Sequence, residues 1–246
     1  MRAATLCAWA ARDVRTVGRD PLLAQLLAAP IALVLLLRLL DGGLGAWIIR
    51  TTGVTLTPYR PLLTSFLLLL LVPFLSGLLA GLVLLDERDE GVLQALRVTP
   101  LSLRGYALAR VGATAAISLL TLAITVPLSG SLPAAGLLRT TPILVVAALF
   151  APVPALLLAT YATNKVEGLA VMKATSVLFF TPLLGWFSDG PWALLFGVIP
   201  GYWPARAFWA LDAGAPAWPF WLCGLVYHSV LLALLMRLWS ARAHVH

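Results

Sequence analysis

Side chains with the potential to do chemistry are few in this chain. Four acids fall within five positions at 86–90, where the sequence reads Asp-Glu-Arg-Asp-Glu. Only one of the three histidines, His228, lies in an apolar run, and the cysteines Cys7 and Cys223 lie at opposite ends of the chain. These residues form no HExxH or CxxC spacing and no nucleophile with an adjacent base, so neither a metal site nor an enzyme is expected. The acidic run is the leading candidate site, whereas His228 is expected to be a packed residue.

The composition indicates the surroundings in which this acidic run operates. Hydrophobic residues make up 61% of the 246 positions and charged residues only 11%. A soluble domain carries about 25% charged residues, so the chain is predicted to be an integral membrane protein. The net charge of +7 does not indicate nucleic-acid binding, because the basic residues stand singly beside apolar runs.

Six apolar runs reach the length of about 20 residues with which a helix crosses a bilayer. They are Pro21–Leu40, Leu62–Leu85, Gly105–Leu128, Thr141–Tyr161, Gly168–Phe187 and Ala217–Met236. A seventh run, Trp192–Ile199, is too short to cross, and it predicts a helical hairpin over residues 189–216 that enters the outer leaflet and returns. The residues at its turn are Pro200, Gly201, Tyr202 and Trp203. In the fourth run, Pro152 and Pro154 are expected to break the helix.

Basic residues predict the orientation. With the N-terminus inside, 12 Lys and Arg residues lie on the cytoplasmic side and 5 on the outer side. This excess places both termini in the cytoplasm, as expected for an even number of spans in a plasma membrane. Residues 1–20 predict an amphipathic helix at the inner interface, with Trp9 on its apolar face and Arg12, Arg15 and Arg19 on the opposite face.

The acids at 86–90 stand at the C-terminal end of the second span, which already carries partial negative charge. Asp86 and Glu90 are also four residues apart, so they repel each other on a continued helix. A basic surface on a partner protein would compensate for this charge, and the alternative is a solvated loop. The segment that follows has Leu93 and Leu96 as a short apolar stripe, and its end is marked by the pair Thr99-Pro100.

Residues 86–102 read DERDEGVLQALRVTPLS and resemble the E-x-x-x-G-x-L-x-x-L-x-x-[ST]-P segment of ABC-2 type permeases. Three further features are similar to that family: the basic N-terminal helix, the short loop at 164–168 and the turn at 199–204. The likeness is greatest to small bacterial drug-export permeases, including the fluoroquinolone export permease group. The resemblance implies an inner coupling loop over 86–104 that docks on an ATPase subunit, with a second contact at 164–168. The residues that it assigns to coupling are Glu87, Glu90, Gly91, Leu93, Leu96, Thr99, Pro100 and Glu167.

By the same resemblance, residues 21–246 form an all-α six-span ABC-2 type transmembrane domain, and the hairpin at 189–216 is an outer gate. The chain has no GxxxxGK[ST] loop, so ATP is expected on a separate ATPase subunit and no cofactor on this chain. The resemblance implies two permease copies, identical or paralogous, and a drug-like or lipid-like cargo. The alternative is a secondary carrier driven by an ion gradient, which the scarcity of ionisable residues within the spans disfavours.

Overall fold

The structure is a computed structural model and describes residues 21–91, 103–132, 136–188 and 190–243. Within these ranges every regular element is a helix, as the composition predicts. The α-helices are Pro21–Asp41, Gly43–Thr52, Arg60–Thr64, Leu71–Asp89, Leu103–Leu128, Gly136–Ala148, Pro152–Tyr161, Lys165–Trp186, Tyr202–Asp212 and Trp218–Ala243. Segments of 3₁₀-helix occupy Thr57–Tyr59 and Gly190–Val198, and a π-helical segment occupies Ser65–Leu70. The predicted interfacial helix at 1–20, with Trp9, Arg12, Arg15 and Arg19, lies outside the described residues.

Six helical stretches are long and apolar enough to cross a membrane, which confirms the predicted six-span all-α fold. Spans 1 to 6 are Leu23–Asp41, Thr57–Asp89, Gly105–Leu128, Gly136–Tyr161, Val166–Trp186 and Trp218–Arg242. Span 2 has 33 residues and begins earlier than predicted. Pro58 and Pro61 stand in the first turns of their helices. An N–H group at that position has no partner within the helix, so a proline is tolerated there and the helical stretch can begin before Leu62.

Spans 2 and 4 form the centre of the bundle. Of their most apolar windows, 61% and 78% of the residues are buried, whereas the corresponding shares for spans 1, 3 and 6 are 22%, 28% and 22%. The outward residues of the peripheral spans are large and apolar, for example Leu35, Leu120 and Val226. Such faces are compatible with lipid, because hydrocarbon chains neither donate nor accept hydrogen bonds.

Span 4 is interrupted near its middle, as its two prolines predict. Its first helix ends at Ala148 and its second begins at Pro152. Between them the chain makes a tight turn with backbone hydrogen bonds such as Phe150 N to Ala147 O, at 3.1 Å. A proline has no N–H to donate and its ring clashes with the carbonyl of the preceding turn, so the α-helix cannot run through this point.

Span 2 packs tightly against this interruption through two glycines. A Cβ atom on Gly77 would lie 2.0 Å from the carbonyl oxygen of Ala151 and 2.5 Å from Cγ of Pro154. One turn later, a Cβ on Gly81 would lie 3.0 Å from Cβ of Leu158. Glycines four residues apart let two membrane helices approach until their backbones touch. The Gly77–Gly81 pair therefore joins the two central spans.

Candidate coupling surface and outer hairpin

The acidic run closes the helix of span 2. The helix ends at Asp89, and Gly91 follows with φ of 72°, a left-handed conformation that glycine adopts without strain. The amide of Glu90 donates to the carbonyl of Asp86 at 2.9 Å. Asp89 and Glu90 are exposed at this end of the bundle. The positive φ therefore explains why a glycine stands at position 91. The other residues predicted for this loop, Leu93, Leu96, Thr99 and Pro100, lie outside the described residues.

Glu87 is separated from the exposed acids of the run. It lies one turn after the buried Val83, on the same face of the helix, and only 7% of its surface is exposed. Its carboxylate accepts hydrogen bonds from the hydroxyl of Tyr106 and the guanidinium of Arg110, both on span 3. The sequence grouped Glu87 with the surface acids, whereas the structure turns it toward span 3.

The short loop between spans 4 and 5 lies beside the end of span 2. Arg88 donates from Nη1 to the carbonyl oxygen of Ala162, and a Cβ on Gly168 would lie 3.1 Å from Cδ1 of Leu85. The two segments that the sequence assigns to coupling, the acidic run and the loop at 164–168, are therefore neighbours at one end of the bundle.

The predicted loop at 164–168 is shorter in the structure, because residues 165–168 already belong to the span 5 helix and Glu167 lies in its first turn. Asn164 is the N-cap, and its Oδ1 accepts from the amide of Glu167 at 2.9 Å. In return, Oε2 of Glu167 accepts from the amide and the hydroxyl of Thr163, at 2.8 and 2.7 Å. This reciprocal arrangement satisfies amides that a helix start leaves unpaired. The side chain of Glu167 remains exposed, so the local role and a partner contact are compatible.

Span 6 returns to the same end of the bundle. Arg242 donates from Nη1 to the carbonyl of Thr160 at 3.3 Å, and its guanidinium lies 4.4 Å from the ring centre of Tyr161. Together with Arg88 at Ala162, two cations therefore face the last carbonyls of span 4, where the helix dipole is negative. This end of the molecule is held by directional contacts in addition to apolar packing.

In the segment for which a hairpin is predicted, the structure has a 3₁₀ segment, a turn and a helix, and entry into the outer leaflet stays a prediction. The turn is closed by a bond from the amide of Tyr202 to Ile199 O at 3.1 Å, and Trp203 Nε1 donates to Gly197 O at 2.8 Å. Pro200, Gly201 and Tyr202 are buried. The tight turn and the indole bond make this segment a compact unit.

Two contacts with span 6 give the position of the hairpin along the bundle. Tyr227 donates its hydroxyl to the carbonyl of Val198, and a Cβ on Gly224 would lie 2.8 Å from Cβ of Trp203. Gly224 and Tyr227 are six and nine residues into the helix that begins at Trp218, which is roughly 9 and 14 Å along its axis. The turn therefore lies beside span 6 and away from the start of that helix at Trp218. Its depth in a bilayer stays a prediction.

The hairpin also contacts the π-helical part of span 2. Trp209 Nε1 donates to Ser65 Oγ at 2.8 Å, and the indole of Trp209 packs edge-on against Trp186 with ring centres 5.0 Å apart. A π-helical turn often marks a functional position because it displaces the side chains after it. Sequence reasoning missed this contact, since an apolar run gives no signal for a π-helical segment.

His228 is a packed residue, as the sequence predicts. It is fully buried, its Nδ1 lies 2.7 Å from the carbonyl oxygen of Gly224, and its ring contacts Phe150 at the interruption of span 4. In the part of the chain that the structure describes, no group of three or more His, Cys, Asp or Glu residues could hold a metal.

Six apolar helical spans around a buried centre define a multi-pass α-helical membrane protein. The sequence matches the profile of the family described as "Fluoroquinolones export permease protein Rv2686c-like" over residues 13–236. The chain belongs to this family, which confirms the resemblance to the fluoroquinolone export permease group.

Two curated relatives come from Mycobacterium tuberculosis. They are the fluoroquinolones export permease protein MT2760 of strain CDC 1551 / Oshkosh and the fluoroquinolones export permease protein Rv2686c of strain ATCC 25618 / H37Rv. Each is 35% identical over 238 residues, which is 96% of this chain and 94% of the relative. No solved structure matches the chain.

Proposed function

We propose that this chain is the permease subunit of an ABC exporter in a bacterial plasma membrane, with both termini cytoplasmic. Its two copies, identical or paralogous, would form the path for a drug-like or lipid-like amphiphile. A separate ATPase subunit would bind ATP and drive export. Both relatives are named fluoroquinolones export permeases, which makes a fluoroquinolone the first cargo to assay.

One observation carries the coupling part of this proposal. The exposed Asp89 and Glu90 and the exposed Glu167 stand at the same end of the bundle, on two adjacent segments. Asp89 is exposed at the C-terminal end of the span 2 helix, where the helix dipole is negative, so a basic surface on a partner would stabilise it. Glu90, Gly91, Glu167 and, beyond the described residues, Leu93, Leu96, Thr99 and Pro100 are proposed to contact the ATPase.

The outer hairpin is proposed to gate the opposite side of the path. Its turn at Pro200–Gly201 is buried against span 6 through Tyr227 and Trp203, well inside the end of that span. Irregular backbone at membrane depth must be covered by protein or by water. In the closed gate protein would cover the turn, and in the open gate water in the path would cover it.

A secondary carrier is the second candidate, and one observation favours it. Glu87 is a buried carboxylate at a helix–helix contact, and buried ionisable groups in membrane proteins often belong to ion pathways. Its pairing with both Arg110 and Tyr106 favours a structural role instead, because these two directional contacts hold the carboxylate in one place between spans 2 and 3.

The test is affinity purification of the tagged chain in mild detergent, followed by transport in inverted vesicles made from the same cells. A co-purifying ATPase with a phosphate-binding loop, and fluoroquinolone uptake that needs hydrolysable ATP, would support the proposal. Glu90→Lys is expected to reduce the co-purified ATPase, since it reverses a charge at the proposed contact. The control Asp41→Lys makes the same change at the other end of the bundle and is expected to leave co-purification unaltered.

The proposal fails if the chain purifies alone and its transport is abolished by a protonophore but not by removal of ATP. That result would support the secondary carrier. A Glu90→Lys protein that retains all of its ATPase would show that the acidic run is not the contact.

A further inference from the structure

Glu87 of span 2 forms a buried polar joint with Tyr106 and Arg110 of span 3. Its carboxylate accepts from Tyr106 and Arg110, and Tyr106 is only 1% exposed. The ion pair is well shielded, with side-chain exposures of 13% for Arg110 and 9% for Glu87. By contrast, the ion pair between Arg60 and Asp41 at the opposite end has exposures of 45% and 37%.

The position of the joint along the chain gives it a mechanical consequence. Glu87 is two residues before the end of the span 2 helix at Asp89, and Tyr106 is three residues after the span 3 helix begins at Leu103. The joint therefore ties together the two ends of the segment 92–102, which lies within the proposed coupling loop.

Charged contacts and apolar contacts transmit force differently. Apolar contacts between membrane helices have no preferred direction, so they fix the relative position of two helices only through the fit of their surfaces. A charge-assisted hydrogen bond fixes both distance and direction, and separating its partners in a low-dielectric interior is strongly unfavourable. Displacement of the helix end at Glu87 is therefore passed on to Tyr106 and Arg110.

The joint also reaches the interrupted span. Tyr106 and Arg110 line a cavity of about 10 Å³ together with Pro152, where the second helix of span 4 begins, and Trp239 of span 6. Tyr106 stacks against Trp239 with ring centres 6.3 Å apart. At this level span 3 therefore borders the same cavity as the start of the second helix of span 4.

We propose that Glu87, Tyr106 and Arg110 are positioning residues that make the two helices flanking segment 92–102 move as one unit during the export cycle. Glu87 acts inside the permease and does not contact the ATPase. This inference rests on the proposed ABC function. It removes Glu87 from the docking residues and gives it a separate step, the transfer of motion into the bundle.

The test uses the full chain co-expressed with the ATPase found by purification. Three variants are compared: Glu87→Gln, Arg110→Gln, and the reversed pair Glu87→Arg with Arg110→Glu. Readouts are the apparent Tm, the amount of co-purified ATPase, and ATP-driven fluoroquinolone uptake into inverted vesicles. We expect Glu87→Gln and Arg110→Gln to retain the ATPase but to lose uptake by about tenfold or more, whereas the reversed pair recovers most of the uptake.

The reversed pair keeps the test valid if a single variant folds poorly, because it restores an ion pair across the same contact. The exposed pair is the matched control: Asp41→Asn and Arg60→Gln are expected to transport as wild type does. Loss of ATPase from Glu87→Gln, with no recovery in the reversed pair, would show that Glu87 docks the partner and overturns the inference. Wild-type uptake by either single variant would also overturn it.

Failure of the proposed function is a different outcome. In that case the wild-type chain itself brings down no ATPase, while the apparent Tm values still report whether the joint exists. For this case the double variant Glu87→Gln/Arg110→Gln is also measured: a Tm loss smaller than the sum of the two single losses would confirm the contact, whereas a loss equal to the sum would contradict it.

Discussion

Replacing Gly77 by alanine should separate the two central spans. The added Cβ would lie 2.0 Å from the carbonyl oxygen of Ala151, whereas such atoms do not approach closer than about 3.0 Å. The helices must therefore move apart by about 1 Å at this point, since both clashing groups are fixed to backbone. A gap of that size removes a quarter to a half of the dispersion energy of neighbouring contacts.

The net effect can be estimated from two opposing contributions. Overpacking of a well-packed interior costs about 1–3 kcal/mol, and a backbone clash belongs at the upper end. Alanine is favoured over glycine within a helix by up to about 1 kcal/mol. Gly77→Ala should therefore destabilise the protein by about 2 kcal/mol. For a chain of this size, that corresponds to a fall in Tm of roughly 4–8 °C.

The chain offers a graded set of controls. A Cβ on Gly112 in span 3 would meet no atom within 4 Å, and one on Gly81 would meet Leu158 and Ala155 at 3.0 and 3.2 Å. Gly112→Ala should be neutral or slightly stabilising, because only helix propensity changes. Gly81→Ala should lie between the other two, since contacts slightly shorter than van der Waals distance relax with small shifts.

The assay is the apparent Tm of each variant in one detergent, read by fluorescence-detected size exclusion at one heating rate. A fixed rate is needed because membrane proteins often unfold irreversibly, so the order of the variants is compared. The expected order of Tm is Gly112→Ala highest, then Gly81→Ala, then Gly77→Ala. A Gly77→Ala protein that melts at or above Gly112→Ala would refute the close backbone contact between spans 2 and 4.

Two further predictions concern the hairpin and the start of span 5. Trp209→Phe removes the 2.8 Å bond to Ser65 and should cost about 1–3 kcal/mol, with Ser65→Ala adding little to it in the double variant. A double variant whose Tm loss is the sum of both would contradict the bond. Asn164→Ala removes the N-cap of the span 5 helix and should cost about 1 kcal/mol, measured as a fall in Tm, whereas Asn164→Asp retains the oxygen acceptor and should remain near wild type. Equal Tm values for these two variants would show that the cap does not matter.

The candidate site was only partly readable from the chain. The acidic run at 86–90 and the loop at 164–168 are each visible in the sequence, and Gly91 carries the helix-ending conformation that its residue type favours. What the sequence did not reveal is that Glu87 turns away from Glu90. Both are glutamates in one short run, and the difference depends on where Tyr106 and Arg110 of span 3 lie.

The hairpin shows the same limit. Its short apolar run followed by Pro200-Gly201 predicts a segment that cannot cross a membrane, and the structure has a 3₁₀ segment, a turn and a helix there. The bonds from Tyr227 to Val198 and from Trp209 to Ser65 join residues 29 and 144 positions apart, so no local pattern indicates them. The π-helical segment at Ser65 has likewise no counterpart in the hydropathy of its run of leucines.

The sequence by itself determined the number of spans, their approximate ends, the interruption at Pro152 and the packed state of His228. These are local properties, because the length of an apolar run and the missing N–H of a proline act on the residues beside them. The tertiary structure alone decided which spans are central, that Gly77 meets the carbonyl of Ala151, and that Glu87 is paired inside the bundle. Such contacts depend on which helix faces come together, and in a membrane that is decided by packing and polar pairing between distant segments rather than by hydrophobicity.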